Sequence, residues 1–173
     1  PLIRALSRRN EIIAIGHTNA TSSEIFAAIR DGAKTATHLG NGAATMIHRH
    51  HGLIFPQLAD DRIFASFIAD GYHLPPYTLK VFLRSKAAGK RILTTDSMAA
   101  AGAPPGRYTI FKYTLEVGRE KVAYLPGTTQ LAGSAITMED GIAGAVNLGG
   151  VSLQEAWDMS SVHPWNLMRK AAA

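Results

Sequence analysis

EIIAIGHTNATSSEIFAAIRDGAKTATHL, residues 11–39, holds one full cycle of the pattern that decides the fold. Residues 11–16 (EIIAIG) are a short apolar, β-branched run of the kind that forms a buried strand. The run ends in His17, Thr18 and Asn19. Thr21, Ser22 and Ser23 with Glu24 then read as a helix start, because a side-chain oxygen there can accept from an unpaired first-turn N–H. Ile25, Ala28 and Ile29 give the helix one apolar face, and Gly32 stops it. Residues 34–39 (KTATHL) are the next strand, with His38 near its end. Strand, polar tip, helix and strand again is the rhythm of parallel β/α units.

The cycle continues downstream. Residues 63–69 (IFASFIA) read as a third buried strand, followed by Asp70-Gly71-Tyr72-His73. Pro75 and Pro76 precede a helix of about three turns that should run to Ala87 or Ala88 and end at Gly89. Residues 91–95 (RILTT) are a fourth strand, with Asp96 directly behind it. The rhythm then breaks at a loop, residues 102–106. Alternation over residues 107–125 predicts an antiparallel excursion of two or three short strands, too small for a core of its own. Residues 134–148 read as a mostly apolar helix. A second helix starts at the N-cap Ser152, with Glu155 three residues on, and should fade after His163-Pro164. The expectation is one α/β domain over residues 1–173.

Composition narrows the function. Hydrophobic residues make up 46% and charged residues 18%, a globular balance and not a disordered one. The absence of Cys excludes a disulfide framework, a thiol nucleophile and a zinc-thiolate site, and it tilts the compartment toward the cytoplasm. The net charge of +5 comes from bases scattered from Arg4 to Lys170, with no stripe of Lys and Arg interleaved with aromatics. That argues against nucleic acid and is compatible with a small anionic substrate. No apolar run approaches the roughly 20 residues a membrane span needs.

The chemistry lies in position. Four strands each finish in a residue suited to metal, proton or substrate: His17, His38, His73 and Asp96. Parallel β/α enzymes hold their sites at that end of the strands. His17 and His38 are imidazoles on neighbouring strands, suited to share one Zn²⁺, Mn²⁺ or Fe²⁺. Asp96 fits either as a further ligand or as the base that moves a proton between water and a leaving amine. His73 can donate to a carbonyl oxygen as charge develops on it. Arg49 among His48, His50 and His51 is an anion clamp or a solvated basic loop. A metal site made of the three adjacent histidines is disfavoured, since neighbours rarely converge on one ion. Leu131-Ala132-Gly133-Ser134 is read as a lead-in to a helix, its N–H groups available to a ligand or simply tightly packed.

Six stretches carry a resemblance: Gly16-His17-Thr18-Asn19-Ala20, Thr37-His38-Leu39 with Asn41, His48-Arg49, Ile68-Ala69-Asp70-Gly71-Tyr72-His73, Thr94-Thr95-Asp96-Ser97, and Leu131-Ala132-Gly133-Ser134-Ala135-Ile136-Thr137-Met138. Together and in this order they resemble the N-acetylglucosamine-6-phosphate deacetylases, metal-dependent (β/α)₈ barrels of the amidohydrolase superfamily. The resemblance implies that His17 and His38 hold one divalent metal ion, that Asp96 is the catalytic aspartate, and that His73 engages the N-acetyl carbonyl. It further implies a phosphate contact from Arg49, delivered across a homodimer, and a substrate lined by Asn41, Gly42 and Leu131. The implied reaction hydrolyses N-acetylglucosamine-6-phosphate to acetate and glucosamine-6-phosphate.

Two departures qualify it. The early barrel strands and the metal-binding glutamate that the family places upstream have no counterpart here. The chain therefore reads as the C-terminal half of a (β/α)₈ barrel, completed by a missing N-terminal part and inactive by itself. The loop after His38 also differs, with Gly40-Asn41-Gly42-Ala43 in place of an aromatic and Asn-Ala-Met, and with His50 and His51 beyond Arg49. That change opens three alternatives: another N-acetyl sugar such as N-acetylgalactosamine-6-phosphate, another amidohydrolase reaction on an N-acyl amino acid or cyclic amide, and a non-catalytic barrel fragment.

Overall fold

The computed structural model of the chain describes residues 1–169; Lys170 and the three alanines after it lie outside the described residues. A short helix α1 (Leu2–Ser7) leads into three parallel β/α units and a fourth parallel strand. These are β1 (Ala14–Ile15) with α2 (Ser22–Asp31), β2 (Thr35–Ala36) with α3 (Ile54–Ala59), β3 (Phe64–Phe67) with α4 (Pro76–Ser85), and β4 (Arg91–Leu93). The four strands form one sheet in chain order, all parallel.

Local chemistry explains the elements. Thr21 and Glu24 close a reciprocal capping box on α2, and Gly32 ends that helix at φ +117°, where only glycine sits without strain. The helix after Pro75-Pro76 stops at Lys86, and Gly89 belongs to a separate 3₁₀ turn. Lys86 itself explains the early stop. Its side chain is fully buried, and its ammonium donates to Gln57 O at 3.0 Å and Asp60 O at 2.6 Å. These are carbonyls at the C-terminal end of α3, where a positive charge is favoured.

The antiparallel excursion is larger than its sequence suggests. Strands β5 (Gly106–Ile110), β6 (Tyr113–Val117), β7 (Val122–Tyr124) and β8 (Leu131–Ser134) form a second four-stranded sheet in chain order. The stretch expected to lead into a helix is therefore a strand. Its short alternating pattern was hidden by Gly133, which has no side chain to alternate. The sheet gathers a small apolar cluster of Ala100, Val117, Ala123 and Ala135. Helix α5 (Met138–Gly144) begins only after the Thr137 cap and passes into a π turn, Ala145–Gly149. Helix α6 (Leu153–Ser160) starts from the Ser152 cap as expected. The chain then re-enters helix as α7 (Val162–Arg169), because Pro164 falls in its first turn, where no N–H is needed.

The main core lies between the parallel sheet and α4, the π turn and α6, where Phe67, Leu79, Leu83 and Met159 are at most 1% exposed. Each such side chain contributes about 1.5–3 kcal/mol of burial free energy. The base of β4 is clamped from behind. Arg91 pairs with Glu155 of α6, and the His163 ring bonds the Arg91 carbonyl at 2.6 Å, which accounts for that histidine structurally.

Candidate active site

Strand register decides which tips meet. Ile15 pairs with Ala36, so His17 and His38, each two residues further on, occupy equivalent places on adjacent strands. Their Nε2 atoms approach to 3.2 Å, with the rings nearly perpendicular at 83°. Two imidazole nitrogens at about 2.0–2.1 Å from one tetrahedral ion would stand about 3.3 Å apart. The pair therefore fits a shared divalent cation. It is also incomplete, because no group of three or more His, Asp or Glu that could hold a metal occurs among the described residues. The ring of His38 is buried and its Nδ1 has no hydrogen-bond partner, although a ligating histidine ordinarily donates that N–H to an acceptor.

Backbone strain marks the same end of the strands. His38 adopts φ +29° and Asp96 φ +49°, a region that bulky L-residues enter only when their surroundings force them. For His38 the force comes from Ser66 of β3. The Ser66 hydroxyl accepts from His38 N at 2.8 Å while donating to Ala36 O at 3.1 Å. Asn41 closes the turn, both its backbone and side-chain nitrogens bonding His38 O. Gly42 lies against the His17 ring so closely that a Cβ there would sit 2.6 Å from His17 Cγ. Asn41 and Gly42 thus shape the histidine pair itself, beyond any substrate lining.

Asp96 stands three residues past Leu93, exposed at its tip. Ser134, fully buried at the end of β8, holds the loop: its N donates to Asp96 O at 3.2 Å, its O accepts from Met98 N at 2.9 Å, and its hydroxyl donates to Thr95 O. The antiparallel sheet is thereby stitched to the tip of β4. Sequence reasoning did not anticipate Ser66 or Ser134 as supports. Each is a small hydroxyl residue on a strand, and only the tertiary partner reveals its use.

His73 sits in the loop after β3 with Asp70. Its Nδ1 lies 2.6 Å from Asp70 Oδ2, and the two side chains are 6% and 1% exposed. Asp70 Oδ1 accepts from the backbone N–H groups of Tyr72 and His73 at 2.9 and 2.8 Å. Burial pushes the Asp70 carboxyl up, but the hydrogen bonds from His73 and Tyr72 more than offset it and hold the group below its ordinary value. With Nδ1 bound to that carboxylate, donation from His73 Nε2 requires a doubly protonated ring.

Among the described residues no hydrogen bond or ion pair joins Asp96, His73, Arg49 or Leu131 to the histidine pair. Arg49 is exposed on the 48–51 turn and makes no hydrogen bond or ion pair among the described residues. That turn is organised by His48, whose Nδ1 accepts from the backbone of His50 and His51. Leu131 opens β8 opposite Tyr124. An apolar groove lined by Ile142, Ala143, Leu153 and Trp157 contains none of the predicted site residues.

Parallel β/α units with a converging imidazole pair, and with an aspartate beyond the last strand, form an α/β section whose candidate site residues stand at one end of the sheet. No family model matches the chain. Known proteins identify it further. It is 34% identical to N-acetylglucosamine-6-phosphate deacetylase of Danio rerio over 96% of its own length and 42% of that protein. It is equally similar, at 34% over 96% of the chain and 43% of the relative, to N-acetylgalactosamine-6-phosphate deacetylase of Escherichia coli O157:H7. Among solved structures, an aspartate-to-alanine mutant of N-acetyl-D-glucosamine-6-phosphate deacetylase from Mycobacterium smegmatis, in complex with N-acetyl-D-glucosamine-6-phosphate, superposes with a TM-score of 0.88 at 30% identity, covering 97% of this chain and 45% of that one. Over nearly its whole length the chain is similar to a section of these sugar-phosphate deacetylases, and it spans less than half the length of the relatives it matches.

Proposed function

We propose that this chain supplies the proton-transfer and part of the metal-binding machinery of a barrel-type deacetylase acting on an N-acetyl amino-sugar phosphate. The observation that carries the reading is the 3.2 Å approach of His17 and His38 Nε2, at the same end of the parallel strands as Asp96, in a chain 34% identical to such a deacetylase. His17 and His38 would hold one divalent ion, Zn²⁺, Mn²⁺ or Fe²⁺, with at least one further ligand from outside this section. Such an ion, when bound, polarises the acetamide carbonyl and acidifies a water molecule.

The protein's own groups do the rest. Asp96 accepts the proton of the attacking water as its oxygen bonds to the carbonyl carbon. His73 hydrogen-bonds the carbonyl oxygen as negative charge gathers there. The C–N bond then breaks, Asp96 delivers its proton to the departing amine, and acetate leaves. Arg49 binds the phosphate through its guanidinium fork, reaching the site of a second copy in a homodimer. Asn41, Gly42 and Leu131 border the sugar. No helix among the described residues is long and apolar enough to cross a membrane, and we place the reaction in the cytoplasm.

The equal identity to the N-acetylgalactosamine-6-phosphate relative favours a second reading of the sugar, in which the Gly40-to-His51 loop accepts that epimer. Acetate release from each sugar phosphate by the complete gene product, supplied with Zn²⁺ or Mn²⁺, decides between them. Asp96→Asn should lower the rate at least about 100-fold, within the range of positioned acid–base catalysis. Undiminished release by that variant would remove Asp96 from the chemistry.

A further inference from the structure

The functional reading uses His73 and leaves its buried partner without a task. Asp70 is an acceptor on both oxygens: Oδ1 takes two backbone N–H groups and Oδ2 faces His73 Nδ1 at 2.6 Å. The two backbone donors cannot turn away, because they are fixed by the Asp70-to-His73 turn itself. Its carboxylate is therefore clamped at one end and can offer the ring only an acceptor. His73 Nε2 makes no hydrogen bond among the described residues, and the ring has lost nearly all contact with solvent. The tight turn at Gly71, φ +80°, brings the carboxylate back under the ring.

We propose that Asp70 is a positioning residue that holds a proton on His73 Nδ1 and stabilises the positively charged ring whose Nε2–H meets the substrate carbonyl. The role rests on the deacetylase reading for its catalytic consequence, but the proton placement stands on the geometry alone. A histidine held only by packing could exchange its two ring tautomers, presenting a donor or an acceptor at Nε2 with the same shape. One clamped to Asp70 cannot.

The amide of Asn provides a nearly isosteric reversal. In Asp70→Asn the backbone N–H groups of Tyr72 and His73 keep the carbonyl oxygen at the Oδ1 position. The NH₂ group must then face His73 Nδ1, which has to become the acceptor, and the ring is left with a proton on Nε2 alone. The ring then keeps an Nε2–H but loses the carboxylate that stabilises its positive charge, and so becomes a weaker donor to the carbonyl oxygen without the site being dismantled.

The test is ring ¹⁵N NMR of the complete protein labelled at histidine, with His73→Gln to assign the signals, alongside steady-state acetate release. Nδ1 of wild-type His73 should carry a proton, and Asp70→Asn should remove it, leaving a proton on Nε2 alone. In the same variant kcat should fall at least tenfold while KM stays within about twofold, a split that general loosening would not produce. A wild-type ring with Nδ1 unprotonated overturns the proposal, and that spectrum needs no variant to fold. A folded Asp70→Asn protein with unchanged kcat also overturns it. That loss of the Nδ1 proton in a protein that releases acetate from neither sugar phosphate would sustain the Asp70 role and refute the deacetylase reading instead.

Discussion

Replacing Gly42 by Ala tests whether the histidine pair is held for a metal ion or is merely adjacent. A Cβ at this position would lie 2.6 Å from His17 Cγ, 2.7 Å from Cδ2 and 2.8 Å from Nδ1. Carbon atoms settle at about 3.5–4.0 Å, so the ring must retreat by roughly 1 Å. His17 is exposed, and its ring can swing outward without disturbing the core. The stability loss should therefore stay near the strain of placing alanine at φ +67°, about 1–2 kcal/mol. Metal binding cannot escape so cheaply, because a 1 Å shift breaks the 3.2 Å approach to His38 Nε2. Disturbing a support of a metal ligand ordinarily lowers affinity by about 10–100-fold, and that is the range expected here. Zn²⁺ titration of the complete protein by calorimetry reads the affinity, and urea denaturation reads the stability. Gly42→Asn sharpens the comparison, since Asn tolerates left-handed backbone but brings the same Cβ; it should lose as much affinity with less destabilisation. If Gly42→Ala binds Zn²⁺ with wild-type affinity, the His17 ring is not a ligand held by Gly42, and the metal reading of this pair fails.

Gly144→Ala should cost about 3 kcal/mol in urea denaturation, because its Cβ would fall 1.7 Å from the Ala69 carbonyl oxygen, a backbone atom that cannot rotate away; a loss below 1 kcal/mol would mean that α5 and the β3 tip slide freely. Burial lowers the Lys86 pKa to about 8 from its ordinary 10.5. Between those values the unfolded chain binds more protons than the folded one, so stability rises with pH, by up to about 3 kcal/mol across the window. Lys86→Met should abolish that rise, measured as the difference between wild-type and variant melting temperatures from pH 8 to 10, and parallel curves would show that Lys86 is not desolvated.

The β/α alternation was legible because buried parallel strands read as continuous apolar runs and helices as amphipathic ones. The positions of His17, His38 and Asp96 beyond the strands followed from it, since the apolar runs that precede them are local features. Boundaries were less so. The strands are two to four residues long where the apolar runs extend further, because pairing partners, not hydrophobicity, set where a ladder ends. Strand β8 was missed, as Leu131-Ala132-Gly133-Ser134 has too little alternation to announce itself and is a strand only because Val122 and Tyr124 stand opposite.

What the sequence by itself determined is which chemistry is present: two imidazoles, an aspartate and a third histidine, each placed at the end of an apolar run. Capping hydroxyls, glycine stops and strand-forming runs are encoded within a few residues of where they act. What only the tertiary structure decided is how those groups are held. In-register pairing of β1 and β2 brings His17 to His38; Ser66 and Ser134, on other strands, hold His38 and Asp96 in strained backbone; and the turn at Gly71 folds Asp70 under His73. These contacts, apart from the last, join residues 21 to 38 positions apart. A hydrogen bond across such distances depends on the register of the sheets, which no local pattern of residues specifies.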